Sequence, residues 1–270
     1  MSALGEHWQL YWRLVGAQVR SQMQYKVGFL LSTLSSFGAY LSELAALLVL
    51  YQRIPHLAGW TVGEVAMLWG LTAISFALAE FFSDGFDHLP SQIRLGTFDR
   101  VLTRPLGAFF QVLASELNLR RAARVTQGVV ALLVAQQTVA VVWSADKLLV
   151  LGLALAGGAV IFYSIYVLGA AYYFWTIEGQ EVVNTFTYGG ATMASYPLDI
   201  FHGWIRRFVT FVVPVAFVNY YPLLYVLGRP DPLGLPSWVG FLSPLVAAGF
   251  CAVAGLAWSA GVRHYQSTGS

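Results

Sequence analysis

The chain has 270 residues, of which 57% are hydrophobic and only 10% charged, with a mean hydropathy of +0.64. A soluble domain carries about 25% charged residues and cannot hide this much apolar surface, so the composition excludes soluble, disordered, collagen-like and disulfide-scaffold proteins. A formal net charge of +2 without a basic tract gives no footing for nucleic-acid binding, and the single cysteine, Cys251, allows no internal disulfide.

Residues 6–24 form the first predicted element. Trp8, Trp12, Val15, Val19 and Met23 fall on one helical face, and Gln9, Arg13, Arg20 and Gln24 on another. This pattern predicts a helix lying in the cytoplasmic membrane interface, with its tryptophans at headgroup depth. Arg13 and Arg20 interrupt any apolar signal-peptide core.

A membrane-crossing helix needs about 20 apolar residues. Val27–Tyr51, Val65–Phe82, Val125–Trp143, Leu148–Ile177 and Ser237–Val262 meet that requirement, with Glu43 and Glu80 as their only charges. Val182–Leu198 is long enough but carries Asn184, Thr185, Thr187, Thr192 and Ser195, and is predicted to be a polar-faced span lining a pathway. Phe208–Gly228 is uncharged but broken by Pro214, Asn219 and Pro222, which predicts a re-entrant or interfacial pair of short helices. The fold class is therefore all-α integral membrane with six spans and both termini on one side. Counting Phe208–Gly228 as a full span gives seven spans and opposite ends.

The basic residues set the orientation. With the N-terminus inside, Arg13, Arg20, Lys26, Arg94, Arg100, Arg104, Arg120, Arg121, Arg124 and Arg263 are cytoplasmic, against Arg53, Lys147, Arg206, Arg207 and Arg229 outside. Residues 83–124 then form a long cytoplasmic loop, in which Pro105 can open a helix. Alternating charged and apolar residues in Ile93–Leu106 suit a docking surface, or equally a basic loop retained by the orientation rule.

Little in the sequence encodes catalysis. Neither Lys26 nor Lys147 lies in a phosphate-binding loop, and His7, His56, His88, His202 and His264 form no metal-ligand spacing. Glu80, Asp84, Asp87 and His88 share a helical face and are predicted to be a solvated helix end. Glu43 is an intramembrane charge that needs a protein or water partner, and is a pathway candidate with Asn184, Thr187 and Asn219.

Three runs resemble the membrane subunit of ABC-2 type ABC transporters, in the branch of small six-span permeases. They are Ile93-Arg94-x-Gly96-x-Phe98-Asp99-Arg100-x-Leu102-x-Arg104-Pro105-Leu106, Tyr196-Pro197-Leu198-Asp199-Ile200-Phe201-x-Gly203-Trp204, and Pro214-x-Ala216-Phe217-Val218-Asn219-Tyr220-Tyr221-Pro222. The resemblance implies one transmembrane domain over 1–270, a coupling helix within 83–124 and external re-entrant helices within 200–230. It places Ile93, Arg94, Phe98, Asp99, Arg100 and Arg104 near a separate ABC ATPase. It further implies a non-enzymatic export permease in a bacterial-type cytoplasmic membrane, paired with an identical or related permease and handling an amphiphilic or hydrophobic cargo. No cofactor is expected in this chain; ATP and magnesium belong to the partner ATPase. The alternative is an ion-coupled secondary carrier or channel, which would need intramembrane charge pairs.

Overall fold

The computed structural model describes residue 16 and residues 26–53, 56–115, 121–176 and 179–266. Apart from Gly16, the predicted interfacial helix at 6–24 lies outside these residues. Among the described residues all the helices and turns surround a core with no sheet; the lone β-bridge joins Leu57 and Trp60.

The first long helix, α1, is Lys26–Arg53, and α2 is Val62–Asp87. Thr61 starts α2 with a capping box: its side chain accepts from the Glu64 backbone N–H, while Glu64 Oε2 accepts from the Thr61 N–H at 2.7 Å. Three short helices follow, α3 Leu89–Arg94, α4 Asp99–Leu102 and α5 Ala108–Ser115. The chain returns along α2 as α6, Ala122–Thr138, and then forms α7, Ala145–Tyr172, and α8, Gln180–Ala194. Two further short helices, α9 Gly203–Phe211 and α10 Tyr220–Leu227, precede the last long helix α11, Ser243–His264.

Three described stretches are long and apolar enough to cross a membrane: Val62–Arg94, Ala145–Tyr172 and Ser237–His264. Helix α2 is the central one, buried along almost its whole length by α6 and α7. Its contact with α6 is backbone-close, because a Cβ on Gly128 would lie 2.9 Å from Gly70 O and one on Gly70 3.0 Å from Gly128 O. Helices α7 and α11 run side by side in the same direction, with Gly157 against Ser243 at one end and Gly261 against Phe174 at the other. Helix α1 is peripheral: Leu30, Leu31, Leu34, Phe37 and Leu41 are exposed, and Gln127 Nε2 of α6 donates to its Phe37 carbonyl at 2.9 Å.

Several boundaries differ from the sequence expectation. Helix α6 stops at Thr138, and 139–144 is non-helical. Val139, Val141 and Val142 are β-branched and favour extended backbone, and Ser144 is the extended N-cap of α7. Helix α8 ends at Ala194 rather than Leu198, because Pro197 disfavours helical backbone in the residue before it. Helix α2 runs on to Asp87, so Ser83–Asp87 is a helical extension and not the start of a loop. Neither α9 nor α10 can cross a bilayer, since eight or nine residues rise only about 12–14 Å. They fold on each other, with Thr210 Oγ1 and Tyr221 Oη 3.0 Å apart.

Candidate functional site

Helices α3 to α5 form a compact shelf below α2. Gly96, at φ +67°, ends α3 in the left-handed conformation, and the Phe98 N–H then donates to Gln92 O at 3.2 Å. Gln111 Nε2 of α5 donates to the carbonyls of Val101 and Leu106, both at 2.7 Å, so the loop around Pro105 is pinned to α5. Helix α5 presses on α2 where Gly85 sits directly on Val112 O, leaving no room for a side chain.

The shelf has two faces. Leu89, Ile93 and Phe98 point into the molecule, and Phe98 is 0% exposed. Its ring meets Phe174 at 5.3 Å and Tyr265 at 5.1 Å. The outer face presents Arg94, Leu95, Arg100, Leu102 and Arg104, with Leu95 66% exposed. This corrects the expectation for two residues. Ile93 and Phe98 are core side chains of this chain and cannot fill a groove on another. Asp99 is half-buried and accepts from Tyr265 Oη at 2.9 Å. Burial, then the hydrogen bond to Asp99, pushes the Tyr265 phenol up to about 12.

Above the shelf lies a charge cluster that the sequence reading placed in solvent. Glu80 is 1% exposed. Arg121 Nη2 lies 3.1 Å from its Oε1 and Arg124 Nη1 3.8 Å from its Oε2. The Arg124 guanidinium also sits 4.9 Å over the Phe76 ring and 4.0 Å from Glu43 Oε2. Glu80 is thus the anionic centre of a packed helix junction and not a solvated helix end. Glu43 remains 51% exposed, joined to the rest through Arg124. No group of three or more His, Cys, Asp or Glu among the described residues could hold a metal ion.

The other pathway candidates are mostly enclosed. Thr187 is buried, and its hydroxyl donates to Val183 O one turn back. Thr185, Thr192 and Ser195 do the same to Glu181 O, Tyr188 O and Ala191 O, so α8 is less polar than its sequence suggests. Asn219 is 1% exposed. Its Nδ2 reaches Leu68 O at 2.9 Å, and Thr72 Oγ1 and Ala194 O at 2.7 Å, tying α2 and α8 to the turn before α10. Residues enclosed in this way line no open path in this conformation; Asn184 is half-buried. The surface of α8 exposes Val182, Phe186 and Tyr188 together with Glu181, Thr185 and Thr192. Beside it a cavity of about 340 Å³, lined by Ile165, Tyr172, Val182, Phe186, Val213 and Phe250, has almost no polar surface.

At the opposite end of α2, Trp60 Nε1 and Tyr220 Oη donate to Asp199 Oδ2 at 2.8 and 3.0 Å. Arg229 Nη2 donates to both oxygens of Glu64, at 2.9 and 2.8 Å, and its guanidinium lies 4.8 Å over Trp60. Asp199 and Arg229 bracket the α9–α10 segment, so both of its ends reach the same Trp60–Glu64 corner and the segment turns back on itself. Asp199 belongs to a run singled out in the sequence; Trp60, Glu64 and Arg229 carried no signal beyond the Thr61–Glu64 cap spacing.

Three helical stretches long and apolar enough to cross a membrane, packed around buried and paired charges, define a multi-pass membrane protein. A family model described as ABC-2 family transporter protein matches residues 37–269, and the chain belongs to that family. Members are membrane components of transporters and not enzymes themselves, and membership implies association with ABC ATPase subunits. No curated protein and no solved structure matches the chain.

Proposed function

We propose that the chain is the permease of an ATP-driven exporter, with six spans formed by α1, α2, α6, α7, α8 and α11 and both termini cytoplasmic. The α3–α5 shelf then faces the cytoplasm and the α9–α10 segment closes the outer end. A second permease, identical or related, covers the exposed faces of α1 and α8, where an amphiphilic or hydrophobic cargo would pass. The observation that carries this reading is the two-faced shelf. Its aromatic base is fixed in the bundle, while Arg94, Leu95, Arg100, Leu102 and Arg104 are presented outward, a mix of apolar anchors and charges suited to a protein groove. The buried Glu80 cluster is the kind of intramembrane charge an ion-coupled carrier would need, but Arg121 and Arg124 already compensate it, and family membership favours the ATP-coupled reading.

The test is co-purification of the ATPase subunit, then ATP-dependent transport in proteoliposomes. Arg100→Glu and Leu102→Ala alter only the outer face and are expected to lower co-purification by about tenfold or more while expression and folding stay normal. Wild-type association and transport by both variants would rule out the shelf as the ATPase contact. Phe98 is a poor probe, because truncating a core aromatic costs about 3–5 kcal/mol of folding stability.

A further inference from the structure

The outer face of the shelf is held in place from far along the chain. Tyr265 follows the last turn of α11 and is fixed to it by its N–H on Gly261 O at 3.0 Å. Its ring packs edge-on against Phe98 at 5.1 Å and lies 6.1 Å from Phe174, which closes α7. Phe174 in turn meets Trp258 of α11 at 5.5 Å. Gly261 lies against Phe174 and Ala171 O too closely for a side chain, so the ends of α7 and α11 are in close backbone contact. Across this aromatic knot Tyr265 Oη donates to Asp99 Oδ1 at 2.9 Å, a bond spanning 166 residues of sequence.

We propose that Tyr265 is a positioning residue of the transport cycle, whose hydroxyl on Asp99 clamps the first turn of α4 to the ends of α7 and α11 so that displacement of the shelf is delivered to those two spans. The inference rests on the ATPase-contact reading and adds the route by which contact is transmitted. The ring and the hydroxyl have separable roles. Ring packing supplies apolar burial and hence stability, and is undirected. The hydroxyl supplies one directional bond, to the residue immediately before outward-facing Arg100. With the phenol held near 12 it remains a neutral donor across the physiological range. Asp99 also begins α4, and its carbonyl accepts from the Thr103 N–H at 3.1 Å, so a pull on its side chain is a pull on the helix.

The test uses the full-length chain co-expressed with the ATPase subunit that co-purifies with it, reconstituted in liposomes. Tyr265→Phe removes the hydroxyl and keeps the ring. It is expected to keep wild-type ATPase stoichiometry and to melt only slightly lower, as the loss of one hydrogen bond requires, but to lose about three- to tenfold of the permease-dependent stimulation of ATP hydrolysis at a temperature well below the melting transition. Asp99→Asn keeps an oxygen acceptor and should fall less. The double variant should stimulate no worse than Tyr265→Phe alone, since the bond can be removed only once. Wild-type stimulation by Tyr265→Phe overturns the inference. So does a loss that merely follows unfolding at the assay temperature or less bound ATPase, or a double variant showing the product of the single losses. If Arg100→Glu leaves association and stimulation intact, the ATPase-contact reading itself fails; a silent Tyr265→Phe beside a defective Arg100→Glu refutes only the clamp.

Discussion

Helix α2 buries two glutamates about 24 Å apart, each against arginine, and holds them by different means. Glu64 stands in the first turn, where the helix dipole favours an anion, and its Oε2 accepts from the Thr61 N–H and hydroxyl at 2.7 and 3.0 Å before Arg229 arrives. Glu80 stands in the last third of the same helix, where the dipole gives nothing, and its oxygens make no well-aligned hydrogen bond. Its compensation comes from Arg121 and Arg124, about forty positions later, at the cap and in the first turn of α6. One carboxylate is secured by its own turn of backbone. The other depends on a second helix being in place, so it reports on helix assembly.

The sharpest way to break that comparison is to delete each anion. Glu80→Ala strands the enclosed Arg124 guanidinium and the partly exposed Arg121 guanidinium together, and is expected to cost about 3 kcal/mol, read as loss of folded protein or a large fall in melting temperature in detergent. Restoring neutrality with Glu80→Gln combined with Arg121→Gln should recover part of that loss. If Glu80→Ala melts like the wild type, the cluster is a solvated helix end after all.

This cluster also shows what the sequence could and could not disclose. Helical periodicity grouped Glu80 with Asp84, Asp87 and His88, its neighbours on one face, and nothing local points to Arg121 or Arg124 as partners. The long apolar runs located the bodies of α2, α7 and α11, though not their ends, because uninterrupted hydrophobicity over a span length has few other solutions. At α6 the same logic overran. Val139–Trp143 is apolar, yet β-branching and the Ser144 cap keep it out of the helix. The run from Ile93 to Arg104 was legible as an unusual segment, but not which of its residues face inward. Helices of four and six residues interrupted by Gly96 are too short for a readable period, so Phe98 was expected outside and lies in the core. Pro214 lies between α9 and α10, but Pro222 sits in the first turn of α10 and does not break it, and α9 begins at Gly203, ahead of the expected Phe208; the corner where the two ends meet required Trp60 and Glu64 from a distant part of the chain.

Between the two glutamates lies a neutral counterpart, and it is the next smaller test. Asn219 is as buried as Glu80 but brings no charge, and its amide serves three acceptors with two hydrogens. Hydrogen bonds between membrane helices are worth about 0.6 kcal/mol on average and up to about 1.7 each, so Asn219→Ala is expected to cost about 1–3 kcal/mol. That is less than Glu80→Ala, because the abandoned carbonyls of Leu68 and Ala194 belong to helices or their ends and Thr72 still donates to Leu68 O at 2.9 Å. Asn219→Asp should be worse than Asn219→Ala, since it presents an acceptor to three acceptors. The reverse order, by thermal melting in one detergent, would show that Asn219 does not face these groups.

The smallest effect is expected where the anion keeps its local bonds. Arg229→Gln removes the guanidinium from Glu64 and from the Trp60 face, yet Glu64 retains both contacts with Thr61 and its place in the first turn. Arg229 is itself partly exposed, with 28% of its side chain accessible, so solvent already screens the pair. Such an ion pair is worth about 0–1 kcal/mol, with the cation–π contact adding about 0.5–1. A fall in stability of about 1 kcal/mol is therefore expected, and raising salt should narrow the gap between variant and wild type by weakening the wild-type pair. Thr61→Ala is the sharper companion. It removes the capping hydroxyl while leaving Arg229, and a lost N-cap costs about 1 kcal/mol by itself. If Glu64 is secured by its own turn, Thr61→Ala with Arg229→Gln should cost more than the sum of the two, because only together do they leave the carboxylate thinly compensated. A double variant at or below the sum would mean that Glu64 depends on Arg229 as Glu80 depends on its arginines, and the contrast between the two ends of α2 would vanish.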